Sequence, residues 1–442
     1  MKYTPKEIVA ILDEYVIGQN NAKKTIAVAL RNRMRRLNLQ KEMQEEVTPK
    51  NILLIGATGV GKTEIARRLA KTFSLPFVKV EASKYTEVGF VGRDVESMVR
   101  DLAMASYALV KKEHKEMIAE SIDELTIEKI AKKLIPEPPS SASEEKKEDY
   151  KIAVEKMKQK VATGQVDELK IKLEIHKKPD EGLDGSLPPE VAKIQESFSR
   201  ILGGLDKKEV SKEVTVKEAM TILKNEAAEE LLDNEAIKNE ALKRAEENGI
   251  IFIDEIDKIA VNSKSSSRQD PSKEGVQRDL LPIIEGSTVT TKLGQLSSEH
   301  ILFIGAGAFH LARPSDLIPE LQGRFPLRVE MESLDEKALY DILTIPKNSI
   351  LRQYAELLRT ENVEIVFDEN SIKAIAKFAA LANEKTEDIG ARRLHTVIER
   401  VMEDISFKAD EFAGEKITID ENLVSSKLSD LIENVDHARY IL

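Results

Sequence analysis

Short apolar runs alternate with amphipathic stretches in two separate parts of the chain. NILLI from Asn51, PFVKV from Pro76, IIFI from Ile250, ILFIG from Ile301 and PLRVEM from Pro326 each have the length of a strand. Helical-period segments such as EIARRLAKTF lie between them. Continuous apolar strands separated by helices predict an α/β core with a five-stranded parallel sheet covered on both faces. Beyond Glu332 the helical period takes over. Leu394, Val397, Ile398, Val401 and Ile405 step by three and four residues, so they line one face of a helix that Thr386 or Asp388 is placed to cap. The expectation is a small α-rich C-terminal domain over 333–442. No internal repeat of fixed period is visible.

The middle of the chain reads differently. From Lys111 to Arg244 charge is dense and the only aromatics are Tyr150 and Phe198, too few to anchor a core like that of the flanks. Two loop-like stretches interrupt it, PEPPSSASEEKKED from Pro136 and KKPDEGLDGSLPPE from Lys177, and their composition favours disorder. Around them the pattern is helical, as in the run from Ile201 to Arg244. This predicts a mostly helical domain over 111–244, inserted into a core domain made of 1–110 and 245–332.

Composition adds exclusions. A chain of 442 residues, 33% charged and 41% hydrophobic, is long enough for several domains. It has no cysteine, which rules out disulfides, cysteine-type zinc sites, iron–sulfur clusters and thiol chemistry, and it fits a reducing compartment. The start MKYTPKEIVA lacks the apolar core of a signal peptide, and the apolar runs are too short to span a membrane. A cytoplasmic protein that engages no membrane is expected. The net charge of −11 gives no electrostatic reason to bind nucleic acid, and the cluster Arg31, Arg33, Arg35 and Arg36 reads as a solvated helix face.

The chemistry begins at Gly56-Ala57-Thr58-Gly59-Val60-Gly61-Lys62-Thr63, which fits G-x-x-x-x-G-K-[ST] and sits between a strand and a helix, as that motif requires. The glycines let backbone N–H groups curl around phosphate oxygens, the helix N-terminus adds partial positive charge, Lys62 can reach the β- and γ-phosphates, and Thr63 can ligate Mg²⁺. A second strand ends in acids, Ile253-Asp254-Glu255. Asp254 is suited to the Mg²⁺ shell and Glu255 to orienting and deprotonating water for attack on the γ-phosphate. Lys62 and Asp254 are much further apart in the chain than the few tens of residues one crossover needs, and the interval coincides with the charged middle segment.

These motifs, together with Tyr15-Val16-Ile17-Gly18-Gln19 and Gly390-Ala391-Arg392-Arg393-Leu394, resemble the AAA+ ATPases of the Clp/Hsp100 group. Over essentially its whole length the chain is most similar to the HslU (ClpY) family, with the charged insert in the place of that family's I domain. The resemblance implies an ATP- and Mg²⁺-dependent protein unfoldase and translocase, assembled as a homo-oligomeric, hexameric ring, that feeds protein substrates into a separate HslV-type peptidase. It also implies site residues. Val16 and Ile17 would contact adenine, although by composition the same segment is equally a buried connection. Gly59, Val60, Gly61, Lys62, Thr63 and Asp254 would hold the nucleotide, with Thr63 and Asp254 on the metal. Glu255 would be catalytic, Arg324 in Glu320-Leu321-Gln322-Gly323-Arg324-Phe325 an arginine finger reaching the neighbouring subunit's ATP, and Arg392 the sensor arginine of the C-terminal domain. Arg393 reads as a surface partner.

One departure stands out. Related ATPases commonly carry a polar residue at the end of the fourth core strand, where this chain has Ile304-Gly305-Ala306-Gly307-Ala308. On the substrate side, Gly89-Phe90-Val91-Gly92 is similar to the family's pore loop, with phenylalanine where tyrosine is usual. On its residues alone Phe90 reads first as a buried turn anchor. The apolar end Tyr440-Ile441-Leu442 is similar to the family's docking tail for the peptidase; a tail packed on its own domain is the alternative. No G-x-S-x-G, H-E-x-x-H or cysteine nucleophile is present, so any peptide cleavage belongs to another subunit. ClpX is excluded by the missing zinc-binding cysteines and docking tripeptide. A nucleic-acid motor of the helicase-loader type and a stand-alone remodelling chaperone are the competing readings.

Overall fold

The computed structural model describes residues 3–47, 49–86, 93–139, 143–175, 210–261 and 271–433. Its strands are β1 (Ile52–Ile55), β2 (Phe77–Glu81), β3 (Lys170–Ile175), β4 (Val210–Thr215), β5 (Ile250–Asp254), β6 (Thr288–Thr291), β7 (Gly294–Ser297), β8 (Leu302–Gly307), β9 (Leu327–Glu330), β10 (Glu364–Phe367) and β11 (Lys416–Ile419). Contacts divide the chain into two units, Met1–Val110 with Lys238–Leu442, and Lys111–Ile237.

The first unit is built on a parallel five-stranded sheet in the order β2-β5-β8-β1-β9. Along β5, Ile251 and Ile253 enter one apolar cluster while Ile250 and Phe252 enter another. The pleat sends successive side chains to opposite faces, so a strand that is apolar at every position is one buried on both sides. β1 divides in the same way, Leu53 to one cluster and Ile52 and Leu54 to the other. The expected doubly covered α/β sheet is therefore present, and the five apolar runs are its five strands.

A third cluster gathers Leu394, Val397, Ile398, Val401, Met402 and Ile405 from the Arg392–Phe407 helix with Leu339, Leu351 and Val424. The helical period of that segment is as read. Its cap is not: the helix starts from Ala391 with no side-chain cap. Thr386 instead closes the preceding Glu369–Lys385 helix, its hydroxyl donating to the Ala382 carbonyl at 2.7 Å, and Asp388 accepts the Gly390 N–H at 2.9 Å. β10 and β11 add a short parallel ladder that the helical reading did not include.

The second unit packs the helices Ala119–Leu134, Glu144–Ala162 and Val216–Leu231 around an antiparallel pair, β3 with β4. Ile171 and Leu173 alternate with Lys170, Lys172 and Glu174, a period of two that puts the two apolar side chains in the core with Ile130, Val161 and Leu223. The stretch from Pro136, read as loop, becomes helical at Glu144. The unit closes at Ile237 rather than Arg244. Ala241 and Ala245 of the Asn234–Asn248 helix belong to the first unit, where the Ser106 hydroxyl donates to the Ala241 carbonyl at 2.7 Å and Ala245 joins the sheet's cluster. The stretch from Lys177, the Gly89–Gly92 segment with Phe90 and Val91, and Tyr440, Ile441 and Leu442 lie outside the described residues. No helix among the described residues is long and apolar enough to cross a membrane.

Candidate functional site

Parallel sheets place ligands at the carboxyl ends of their strands. Here β1 runs into the phosphate loop, β5 ends at Asp254, and β8, which lies between them, ends at Gly307. A cavity of about 1090 Å³ opens at these ends. Gly59, Val60, Gly61, Lys62, Thr63, Asp254 and Glu255 line it together with Val16, Ile17 and Arg392, so all but one of the expected nucleotide-site residues converge.

The exception is Arg324. It ends the Pro319–Arg324 helix, pairs with Glu285 at 2.7 Å, and lines a separate cavity of about 190 Å³ with Lys50 and Asn51. Within one chain it does not join the phosphate-loop residues.

In the phosphate loop Gly59 has φ +79° and Gly61 φ +99°, left-handed conformations that glycine adopts without strain. Lys62 opens the Lys62–Thr72 helix and folds back, donating to the carbonyls of Gly56 at 2.5 Å and Ala57 at 2.6 Å. Burial lowers its pKa, with Asp254 and Asp257 pulling the other way. The Thr63 hydroxyl stands 3.4 Å from the Asp254 carboxylate, bringing two hard oxygen donors together. Lys79 from β2, missed in the sequence, pairs with that same carboxylate at 2.7 Å. Glu255 has φ +55°, an uncommon conformation for a residue with a Cβ. Its N–H donates to Asp254 Oδ1 at 3.1 Å, and its carboxylate accepts from the Ser83 hydroxyl at 3.3 Å. Strain held in place by its neighbours is a recurrent property of functional residues.

The structure explains why β8 ends without a polar side chain. A Cβ on Gly307 would lie 2.8 Å from Asp257 Oδ1 and 2.7 Å from the Phe309 ring, so any larger residue would have to displace one of those side chains. Asp257 occupies that ground, accepts the Phe309 N–H at 3.2 Å, and lines the cavity beside His310. Neither residue was singled out from sequence. The acidic step Asp254-Glu255-Ile256-Asp257 was the available signal, but the approach of Asp257 to Gly307 joins distant parts of the chain.

At the other rim, Val16 is buried and its carbonyl accepts from the buried Lys23 ammonium at 2.5 Å, while Lys23 also pairs with Asp13 at 2.6 Å. Gln19, also buried, acts like a strand residue: its side chain donates to the Glu332 carbonyl at 2.8 Å and accepts the Glu332 N–H at 2.9 Å. These bonds pin the Val16–Ile17 segment to the chain leaving β9. Arg68 lies 4.7 Å over the Tyr15 ring, fixing the next side chain at the cavity wall.

Arg393 is not a surface partner. It is 2% exposed and bonds Asn383 Oδ1 at 3.2 Å, the Thr386 hydroxyl at 2.8 Å and the Glu387 carbonyl at 2.8 Å, which shapes the turn that presents Arg392. The basic cluster on the Asn20–Leu37 helix is a solvated face only in part: Arg35 is exposed and Arg31 half-buried, while Arg33 and Arg36 are buried.

The profile of the ATPase family associated with various cellular activities (AAA) matches residues 52–133, and that of the AAA domain (Cdc48 subfamily) matches residues 181–328. An ATP-dependent protease ATPase subunit HslU from Campylobacter jejuni (strain 81-176) is 62% identical over the whole of both chains. One from Helicobacter pylori (strain G27) is 61% identical over all of this chain and 99% of its own length. The AAA profiles account for an ATPase with a nucleotide site, and identity of this extent over full length decides the narrower question: the chain belongs to the HslU family, the ATPase subunits of ATP-dependent proteases.

Proposed function

We propose that this chain is the ATP-driven unfoldase and translocase of a two-component cytoplasmic protease, handing proteins to an HslV-type peptidase. The convergence of phosphate loop, strand-end acids and Arg392 on one cavity carries this reading. In it, the loop's N–H groups and Lys62 bind the phosphates and Val16 and Ile17 face the base. Thr63 and Asp254, with oxygens 3.4 Å apart, suit Mg²⁺, which when bound neutralises charge on the β- and γ-phosphate oxygens. The Glu255 carboxylate orients the attacking water and takes its proton as the bond from the γ-phosphorus to the β,γ-bridging oxygen breaks. Asp257 supplies the polar group that β8 lacks.

Arg324 acts on the ATP of a neighbouring subunit in a hexameric ring, a role supported by its place outside its own chain's cavity. Gly89, Phe90, Val91 and Gly92 form the pore loop that grips the polypeptide, and Tyr440, Ile441 and Leu442 dock the peptidase. Burial of Arg33 and Arg36 removes half of the basic cluster that a nucleic-acid motor would present. The test is to mix the chain, ATP, an HslV-type peptidase and a folded reporter protein. Degradation should require all three partners of the reporter; equal degradation without this chain or without ATP refutes the assignment.

A further inference from the structure

The phosphate loop touches more than its own strand and helix. A Cβ on Gly59 would come 2.0 Å from the Ile389 carbonyl oxygen and 3.3 Å from the Ala391 nitrogen. From the other side, Gly390, with φ +57°, leaves only 2.7 Å between its own ideal Cβ and the Thr58 carbonyl oxygen. Where the two backbones meet, the Ala391 N–H donates to the Gly59 carbonyl at 3.2 Å. The turn that makes this approach is braced independently. Asn383 donates to the Gly390 carbonyl at 3.1 Å, Asp388 accepts the Gly390 N–H at 2.9 Å, and buried Arg393 holds Thr386 and Glu387.

A trans peptide is planar, with its carbonyl and the next residue's N–H pointing in opposite directions. Anchoring the Gly59 carbonyl to Ala391 therefore directs the Val60 N–H away from the turn, and Val60 belongs to the loop whose N–H groups wrap phosphate. Resting on the nucleotide-site reading above, we infer that Gly390 and Ala391 are positioning residues for the phosphate loop. They couple nucleotide binding to the C-terminal segment through backbone alone, in parallel with the Arg392 guanidinium. A requirement for glycine on both sides of the contact follows, because a side chain at either position would separate the two backbones.

The experiment measures amide hydrogen exchange in the full chain with and without ADP, in peptides covering 57–62 and 388–391, for the wild type, Arg392→Met and Gly390→Ala. ADP should slow exchange in both peptides of the wild type. Arg392→Met, which keeps the turn but removes the guanidinium, should bind ADP less tightly, yet once enough ADP is added to protect 57–62 in this variant, 388–391 should be protected as well. Gly390→Ala should need at least about tenfold more ADP, equivalent to about 1.4 kcal/mol, for protection of 57–62 and should show none in 388–391. Loss of the 388–391 protection in Arg392→Met while 57–62 stays protected overturns the inference, because coupling would then run through the guanidinium. Gly390→Ala with wild-type protection in both peptides overturns it as well. If Gly390→Ala does not fold, the Arg392→Met comparison decides alone. Absence of ADP protection at 57–62 in the wild type would sink the nucleotide-site reading itself, a different failure.

Discussion

Arg33 offers a test of how charge is tolerated under the sheet. The residue is 6% exposed, and its guanidinium donates to the Ile301 carbonyl at 3.1 Å and to Asn51 Oδ1 at 3.5 Å, while Nε and Nη1 meet no partner among the described residues. Burial, with Arg36 nearby as a like charge, brings its pKa down from the usual arginine range to about 9. At 1.36 kcal/mol per unit, that shift corresponds to roughly 5 kcal/mol against holding the charge in the folded protein. The bond to Ile301 returns about 1.5 to 3 kcal/mol, and the longer one to Asn51 little, since Asn51 Oδ1 also accepts the Phe303 N–H at 3.1 Å. Replacing the charge by an apolar chain of similar length should win this balance. Arg33→Met is expected to stabilise the fold by about 2 kcal/mol at neutral pH.

The sign of the pH dependence makes the argument specific. The folded pKa is lower than the unfolded one, so below about 9 both states hold the proton and the full penalty applies. Above about 9 the folded state can shed the proton and the penalty relaxes. The advantage of Arg33→Met in urea unfolding should therefore be constant from about pH 7 to pH 9 and shrink by about pH 10. A variant less stable than the wild type by more than about 1 kcal/mol, or an advantage that grows with pH, would refute the reasoning.

Lys62→Ala should abolish tight nucleotide binding and Glu255→Gln should keep binding while stopping turnover, because one residue contacts phosphate in the ground state and the other acts only on the attacking water. Equal ADP affinity in wild type and Lys62→Ala, by calorimetry, contradicts the first assignment. Inactive Arg324→Ala and Glu255→Gln subunits, mixed and shown to co-assemble, should regain ATPase activity at their shared interfaces; a mixture as inactive as its parents argues against action in trans. Phe90→Ala should leave ATP hydrolysis within a few-fold of normal and remove ATP-dependent unfolding of a folded reporter. Truncating a buried anchor instead costs about 3 to 5 kcal/mol, so a large drop in melting temperature with loss of both activities would make Phe90 structural.

The parts of the site legible in the sequence are those encoded by neighbours in the chain. The phosphate loop and the acids ending β5 announce themselves because strand, turn and helix are consecutive, and β1, β5 and β8 are visible because burial on both faces leaves every position apolar. β10 and β11 escaped because each is a four-residue segment whose burial depends on a partner some fifty residues away. Arg393 was misjudged for a related reason: its partners Asn383, Thr386 and Glu387 precede it by six to ten residues, but only the fold shows that this segment closes over its guanidinium. The glycines show the limit most clearly. Gly59 looks like a phosphate-loop glycine and Gly390 like a glycine before a helix, and each reading is locally sufficient. The stricter requirement, that neither can carry a Cβ because the two backbones lie in contact, belongs to the pair and to neither sequence motif. A nucleotide-site residue can thus be specified from more than three hundred positions away, by a contact that contains no side chain at all.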